Sequence, residues 1–417
     1  MSRLYYTENG NLVATLCEEL TTFRRARKAL HLPPTQAPAT LYVLARRYPE
    51  SELPLRVSVN GVQISPIPPR PSRRHDWYTA TVDAALLREG DNLFEFWTDS
   101  TAMDSWSLAV EGGHAQPKSF VSDDGGVTWR NEAMAYLNVL RGEYVVRLRL
   151  AGGQDPPPPH MTWEDPASPR LASLRRLLPP EAFGDAPLMD RVRALASWLS
   201  CSWAHWNAAD SRLYAPWDPE TIIAWGQAEA GHAGQRPIDM CVHYSVALVS
   251  CCQAAGIAAR CAALKGTLPS ATDGHFVVEV WFPEHEKWVM VDPTFDAVLW
   301  RDGLPLSLVQ IREAGSDLRD LIRWGPGLQC RLREPGKRGV VEKFTQGYCF
   351  GHRSLWPRAD FLSHPRFSPS GHGAAAYCET GLVWERADLD SGYGMFPCFG
   401  DADYFDKPPR QERASGV

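Results

Sequence analysis

Residues Pro237–Asp296 constrain this chain more than any other stretch: PIDMCVHYSVALVSCCQAAGIAARCAALKG, then GHFVVEVWFPEHEKWVMVDPTFD. From Cys241 to Ala255 there is neither glycine nor proline, and Gly256 follows as a stop. That pattern predicts a helix, with Asp239 placed to cap its first amides. Cys241, Ser245, Leu248 and Cys252 recur at helical spacing, so that face is expected to pack against a sheet. Two β-prone runs come next, Phe276–Phe282 and Lys287–Asp292, joined by the polar segment Pro283–Glu286. They read as a hairpin. The stretch combines a helix with an antiparallel hairpin, as an α+β fold does.

The hairpin carries its own register. If Phe282 faces Lys287, Asp292 faces Val277 and His275 faces Thr294. Directly opposed residues and their neighbours two along share one face of a sheet, within reach of long side chains. His275 and Asp292 are therefore expected on one face, close enough for an imidazole–carboxylate hydrogen bond. Cys241 opens the helix, where the unpaired amides and the positive end of the dipole favour thiolate. Taken singly, these residues are ordinary: a small buried thiol, a polar strand end, an Asp-Pro turn. In this order, with the hairpin aligning two of them, they form a candidate nucleophile, base and orienting carboxylate.

Cys241 on its helix, then GIAAR, GHFVVEV and KWVMVDPT, resemble the core of the transglutaminase-like superfamily of cysteine enzymes over roughly residues 190–300. The resemblance implies a papain/transglutaminase-like core, a helix packed on an antiparallel sheet, with Cys241 as nucleophile, His275 as general base and acid, and Asp292 orienting the imidazole. Ile238-Asp239-Met240 departs from the glycine-rich, polar residues that usually precede the family's cysteine. A tryptophan upstream of that cysteine can stabilise the oxyanion in such enzymes. Trp206 is the nearest positional match and Trp203 the next; Gln235 could serve instead, as a glutamine does in papain-like enzymes. A helix-end aromatic and a loop amide are the plainer readings of these side chains, and the Cys241 backbone N–H is a further donor.

A chain of 417 residues, 44% hydrophobic, can build two or three cores. A formal charge of −6 gives no reason to expect nucleic acid or an anionic membrane as a partner. No apolar run reaches membrane-span length, and MSRLYYTENGNLVATL lacks a secretory pattern. The ten cysteines, without regular spacing, are therefore expected to be mostly reduced thiols of a cytoplasmic protein. No metal-ligand spacing and no cofactor motif are found, so none of either is expected.

Residues 1–38 form an N-terminal segment, weakly helical over Leu12–Leu30. From 39 to 150 the pattern is β: Leu41–Ala45, Leu55–Val59, Trp77–Val82, Asn92–Trp97 and Ser105–Val110, with further strands near Val127–Trp129 and Tyr144–Leu150. RVSVNGVQI and DWYTATVDAALLREGDNLFEFW resemble the jelly-roll, galactose-binding-like sandwiches attached to many glycan-active enzymes. Such sandwiches bind sugar or serve as scaffolds. Ser122–Gly126 reads as an acidic turn.

Residues 151–165, rich in glycine and proline, form a semi-rigid linker. A catalytic domain spans 166–325, with helices over the start of Leu188–Trp206, Glu220–Ala230 and Leu304–Arg323. Residues 326–417 form an extension expected to pack on it, bringing His352, Arg353, Arg358, His364 and His372 as candidate substrate contacts.

The expected activity is hydrolysis of a peptide or glycan-linked amide through a thioester acyl-enzyme, on a peptide, glycopeptide or other amide substrate. An amide-forming acyltransferase and a non-catalytic glycan- or peptide-binding scaffold stay open as alternatives, as does hydrolysis against transfer, which depends on how the cleft treats water.

Overall fold

A computed structural model describes residues 4–8, 17–70, 75–112, 114, 116–135, 138, 141–152, 157–158, 160–203, 218–227, 240–265, 275–315, 318–333, 352–356, 359, 382–385 and 398–409. The chain divides into two compact units, and the described residues of the first lie within Met1–Pro157 and those of the second from Pro158 onward.

The first unit is a sandwich of antiparallel strands: β1 Leu4–Tyr5, β2 Cys17–Leu20, β3 Arg25–Leu32, β4 Ala39–Arg47, β5 Arg56–Val59, β6 Val62–Gln63, β7 Asp76–Val82, β8 Gly90–Trp97, β9 Trp106–Gly112, β10 Ser119–Ser122, β11 Gly142–Tyr144 and β12 Val146–Leu150. One sheet runs β1-β12-β4-β9-β11, with β7 also on β4 and β2 also on β9; the other runs β10-β3-β8-β5-β6. Leu41, Val43 and Trp106 of the first sheet meet Leu30, Phe94 and Phe96 of the second in one apolar core.

Two expectations fail here. Leu12–Leu30 is not helical where described: Cys17–Leu20 and Arg25–Leu32 are strands within the sandwich, so they do not form a separate segment. Ala26, Lys28, Leu30 and Leu32 all point inward, and Lys28 hides the alternation. Its ammonium is fully buried and donates to Glu143 Oε2 at 2.7 Å and to the Tyr144 carbonyl at 2.8 Å. Val127–Trp129 is a turn, not a strand. The Asp124 carboxylate accepts from the Val127 and Thr128 amides and from the Thr128 hydroxyl, holding the chain in a bend.

The second unit begins with helices α1 Pro169–Arg175, α2 Leu188–Ser202, α3 Pro219–Gln227 and α4 Cys241–Ala254. Its sheet contains β13 Ala259–Lys265, β14 His275–Phe282, β15 Lys287–Asp292, β16 Ala297–Arg301, β17 Leu304–Pro305, β18 Ile322–Trp324, β19 His352–Leu355, β20 Val383–Trp384 and β21 Cys398–Phe399. The order is β17-β16-β15-β14-β13-β19-β20-β21, with β18 also on β16; only β20 and β21 pair parallel among the described strands. Helices α5 Leu308–Glu313, α6 Gly327–Arg333 and α7 Ala402–Asp406 complete the unit. Leu304–Arg323 is thus a short strand, a short helix and a turn into β18, rather than one helix. The residues after 326 do more than cover the core, since β19 extends its sheet directly from β13.

Helix α4 ends as its sequence demands. Gly256 takes φ +76°, the Ile257 N–H donates to the Cys252 carbonyl at 2.8 Å, and the Gly256 N–H donates to Gln253. These are the two bonds of a Schellman cap. Its burial exceeds expectation: Val242–Cys252 are buried on every side, not on one face. Strands β13 and β14 cover one flank, and α1, α2 and α3 cover the rest. A helix apolar all round belongs in such a place. The architecture is α+β, a central helix on an antiparallel sheet with a β-sandwich before it.

Among the described residues no helix is long and apolar enough to cross a membrane, and no group of three or more His, Cys, Asp or Glu could hold a metal ion.

Candidate active site

Cys241 is the first residue of α4 and only partly buried, whereas Cys251 and Cys252 on the same helix are fully buried. The Asp239 cap lies outside the described residues. Instead Met240, extended at φ −104°, precedes the helix, and its N–H donates to His243 Nδ1 at 3.0 Å. His243, fully buried two residues past the thiol, thereby fixes the chain at the helix start. An imidazole at the third helical position can reach back to the preceding amide, as a glutamate does in a capping box.

The hairpin adopts the expected register, with Phe282 opposite Lys287 and Val278 opposite Val291. His275 and Asp292 therefore meet. His275 Nε2 lies 2.7 Å from Asp292 Oδ2, with side-chain exposures of 3% and 0%. The other carboxylate oxygen accepts from the Thr294 N–H at 2.8 Å and the Phe295 N–H at 3.4 Å. Those amides belong to the turn after β15, so the chain that leaves the strand also aims the carboxylate. The Phe295 ring lies beside the imidazole, its centroid 5.8 Å away.

Burial alone would pull the His275 pKa down. The Asp292 charge and its hydrogen bond, then a hydrogen bond with the Cys241 thiol and the charge there, outweigh burial and raise it to about 10. The imidazole is thus flanked by carboxylate and thiol, and this buried site favours the imidazolium. The Cys251 thiol, by contrast, is pushed well up by burial, and Cys252 to about 12.

The remaining sequence candidates divide. Trp206, Gln235, Arg358, His364 and His372 lie outside the described residues. Trp203 is buried, its ring stacks on Tyr244 at 4.8 Å, and its carbonyl accepts from the Tyr244 hydroxyl at 2.8 Å. Gly226 of α3 leaves room for that indole, because a Cβ there would come within 2.6 Å of it. His352 and Arg353 differ from expectation. His352 is buried against the Trp384 ring, centroids 5.2 Å apart. Arg353 is 3% exposed and paired with Glu279 at 2.6 Å, Glu385 at 3.2 Å and Asp406 at 3.3 Å. A guanidinium so committed neutralises the buried Glu279 together with the more exposed Glu385 and Asp406, and is itself closed off from solvent.

Sequence reading passed over two features. One is His243. The other is the cluster in which Glu279, fully buried in β14, takes Arg260 on one oxygen at 2.7 Å and Arg353 on the other. Its trace in the sequence is the glutamate inside FVVEVWF, since a buried acid in an apolar strand demands a buried base.

Comparison with known proteins points the same way. Residues 183–293 match the family described as the transglutaminase-like superfamily. A solved structure from Cytophaga hutchinsonii, provisionally described as a cysteine protease, is similar at 10% identity, with a TM-score of 0.22 over 65% of this chain and 75% of that one. A likeness of that size carries no argument. Among curated proteins no match is found. The matched segment contains α4, β13, β14 and β15, and with them Cys241, His275 and Asp292, and over those residues the chain is similar to the transglutaminase-like superfamily.

Proposed function

We propose that the protein is a cysteine amidohydrolase, acting on a peptide or glycan-linked amide with Cys241 as nucleophile. The observation that carries this is the buried His275 imidazole, engaged by Asp292 on one side and by the Cys241 thiol on the other. With Nε2 held by Asp292, Nδ1 is the ring nitrogen left to take the thiol proton. The thiolate adds to the amide carbonyl, and the imidazolium returns its proton to the leaving amine as the tetrahedral intermediate collapses to a thioester. His275 then takes a proton from water, which attacks the thioester and releases the acid. The Cys241 backbone N–H, in the first turn of α4 and without an intrahelical acceptor, is a fixed donor for the oxyanion.

The test is a panel of peptides and N-linked glycopeptides, read by release of amine with and without added amine acceptors. Acid release, trapping of an acyl group on Cys241 and loss of both in Cys241→Ala are the expected results. Turnover retained in a folded Cys241→Ala protein overturns the assignment. Amine-dependent formation of a new amide in place of acid would make it a transferase.

A further inference from the structure

Two thiols outside this site stand together. Cys201, in the last turn of α2, and Cys330, within α6, are 129 positions apart, yet their sulfurs are 3.0 Å from each other. Cys201 is exposed and Cys330 partly so, so a small reagent can reach the pair from solvent. We propose that Cys201 and Cys330 are a reversible redox pair that closes to a disulfide and braces the turn behind Asp292.

The coupling to that turn is direct. Ser200, one residue before Cys201, donates its hydroxyl to the Thr294 carbonyl at 3.3 Å. Gly327, at the head of α6, donates its N–H to Asp296 Oδ2 at 2.8 Å. Between those contacts lies the segment whose Thr294 amide donates to Asp292. Asp296 itself sits at φ +54°, and its carbonyl accepts from the Gly325 N–H at 2.7 Å. Close approach is built in, since a Cβ on Gly327 would lie 2.3 Å from the Ser200 hydroxyl and 2.7 Å from the Asp296 Cβ. Helices α2 and α6 therefore grip one turn from two sides, and a bond between Cys201 and Cys330 ties them at that grip. The loop it closes contains Cys241, His275 and Asp292.

The oxidant is a small-molecule disulfide of the glutathione class. The Cys201 thiolate attacks one of its sulfurs and expels one small thiolate. The Cys330 thiolate then attacks the Cys201 sulfur of the mixed disulfide and expels the second. The two protein thiols lose two electrons, the small disulfide gains them, and the two cysteine protons pass to the two small thiols released.

The experiment uses the full chain carrying Cys241→Ala, so that neither the proposed nucleophile nor its reaction enters the result. The protein is equilibrated in mixtures of reduced and oxidised glutathione, quenched with iodoacetamide and mapped. The expected result is a Cys201–Cys330 linked peptide, lost on adding dithiothreitol. With it should come a rise of about 10 °C in the thermal midpoint, on the scale of a native disulfide closing a long loop. Cys201→Ser and Cys330→Ser should each remove both. Glutathione retained on Cys201 with no linked peptide, both thiols still alkylatable in the most oxidising mixture, or a linked peptide with an unmoved midpoint would each overturn the proposal.

Discussion

Replacing Asp292 with Asn tests the site most sharply, because the change keeps the shape and removes the charge. The asparagine carbonyl can still accept the Thr294 and Phe295 amides that now bond Asp292 Oδ1. Its NH₂ then faces His275 Nε2, which must accept, and the ring proton moves to Nδ1, on the thiol side. The imidazole in that tautomer cannot take the Cys241 proton. The lost carboxylate also lowers the His275 pKa, since an opposite charge this close is worth about 1–3 units, or roughly 1.4–4 kcal/mol. In a serine triad the same tautomer error costs about 10⁴ in turnover; alkylation reads only the thiolate, and because a free thiol with a pKa of about 8.5 is a few per cent ionised near neutral pH, a loss of about tenfold or more is expected in that rate. The assay is the rate of Cys241 alkylation by iodoacetamide near neutral pH, read by peptide mapping, with circular dichroism to establish folding. The wild-type thiol should label fastest among the mapped cysteines, and the Asn variant should bring it down to ordinary thiol reactivity. A folded variant that alkylates within about threefold of wild type would show that Asp292 does not set the state of His275, and the reasoning from geometry to nucleophile would fall.

Other expectations follow from the same geometry. Glu279→Gln takes the carboxylate from the Arg260 guanidinium, 3% exposed, and leaves Arg353 with Glu385 and Asp406 alone; it should cost about 3–5 kcal/mol in urea unfolding; a loss under about 1 kcal/mol would refute the role given to that cluster. The folded pKa of His275, about 10, lies above its ordinary 6.5, so its protonated form is favoured by folding. That stability should be complete below about pH 6.5 and fade as pH rises toward the folded value. Urea midpoints of wild type and His275→Gln should therefore converge with rising pH, and a constant gap would contradict it. Cys251 and Cys252, buried and with raised pKa values, should resist alkylation in the native protein and label only on unfolding; native labelling of either would show that α4 opens.

What the sequence determined by itself was local. The stop of α4 at Gly256, the Pro283–Glu286 connection and the opposition of Phe282 to Lys287 depend on residues a few positions apart, whose backbone preferences have few solutions. From that register alone His275 and Asp292 had to share a face. Tertiary structure decided what depends on distant neighbours. Cys241 meets His275 because α4 lies on β14, and α4 is buried all round because α1, α2 and α3 come to lie beside it. The roles of the charged residues were beyond local reading for the same reason. Lys28 turns inward because Glu143 is there to receive it, and Arg353 becomes structural because Glu279, Glu385 and Asp406 surround it. A charge can be buried only where the fold supplies its counterpart, and that counterpart comes from chain far away in sequence. Cys201 and Cys330 obey the same logic, since no spacing rule joins two cysteines 129 positions apart until two helices have packed.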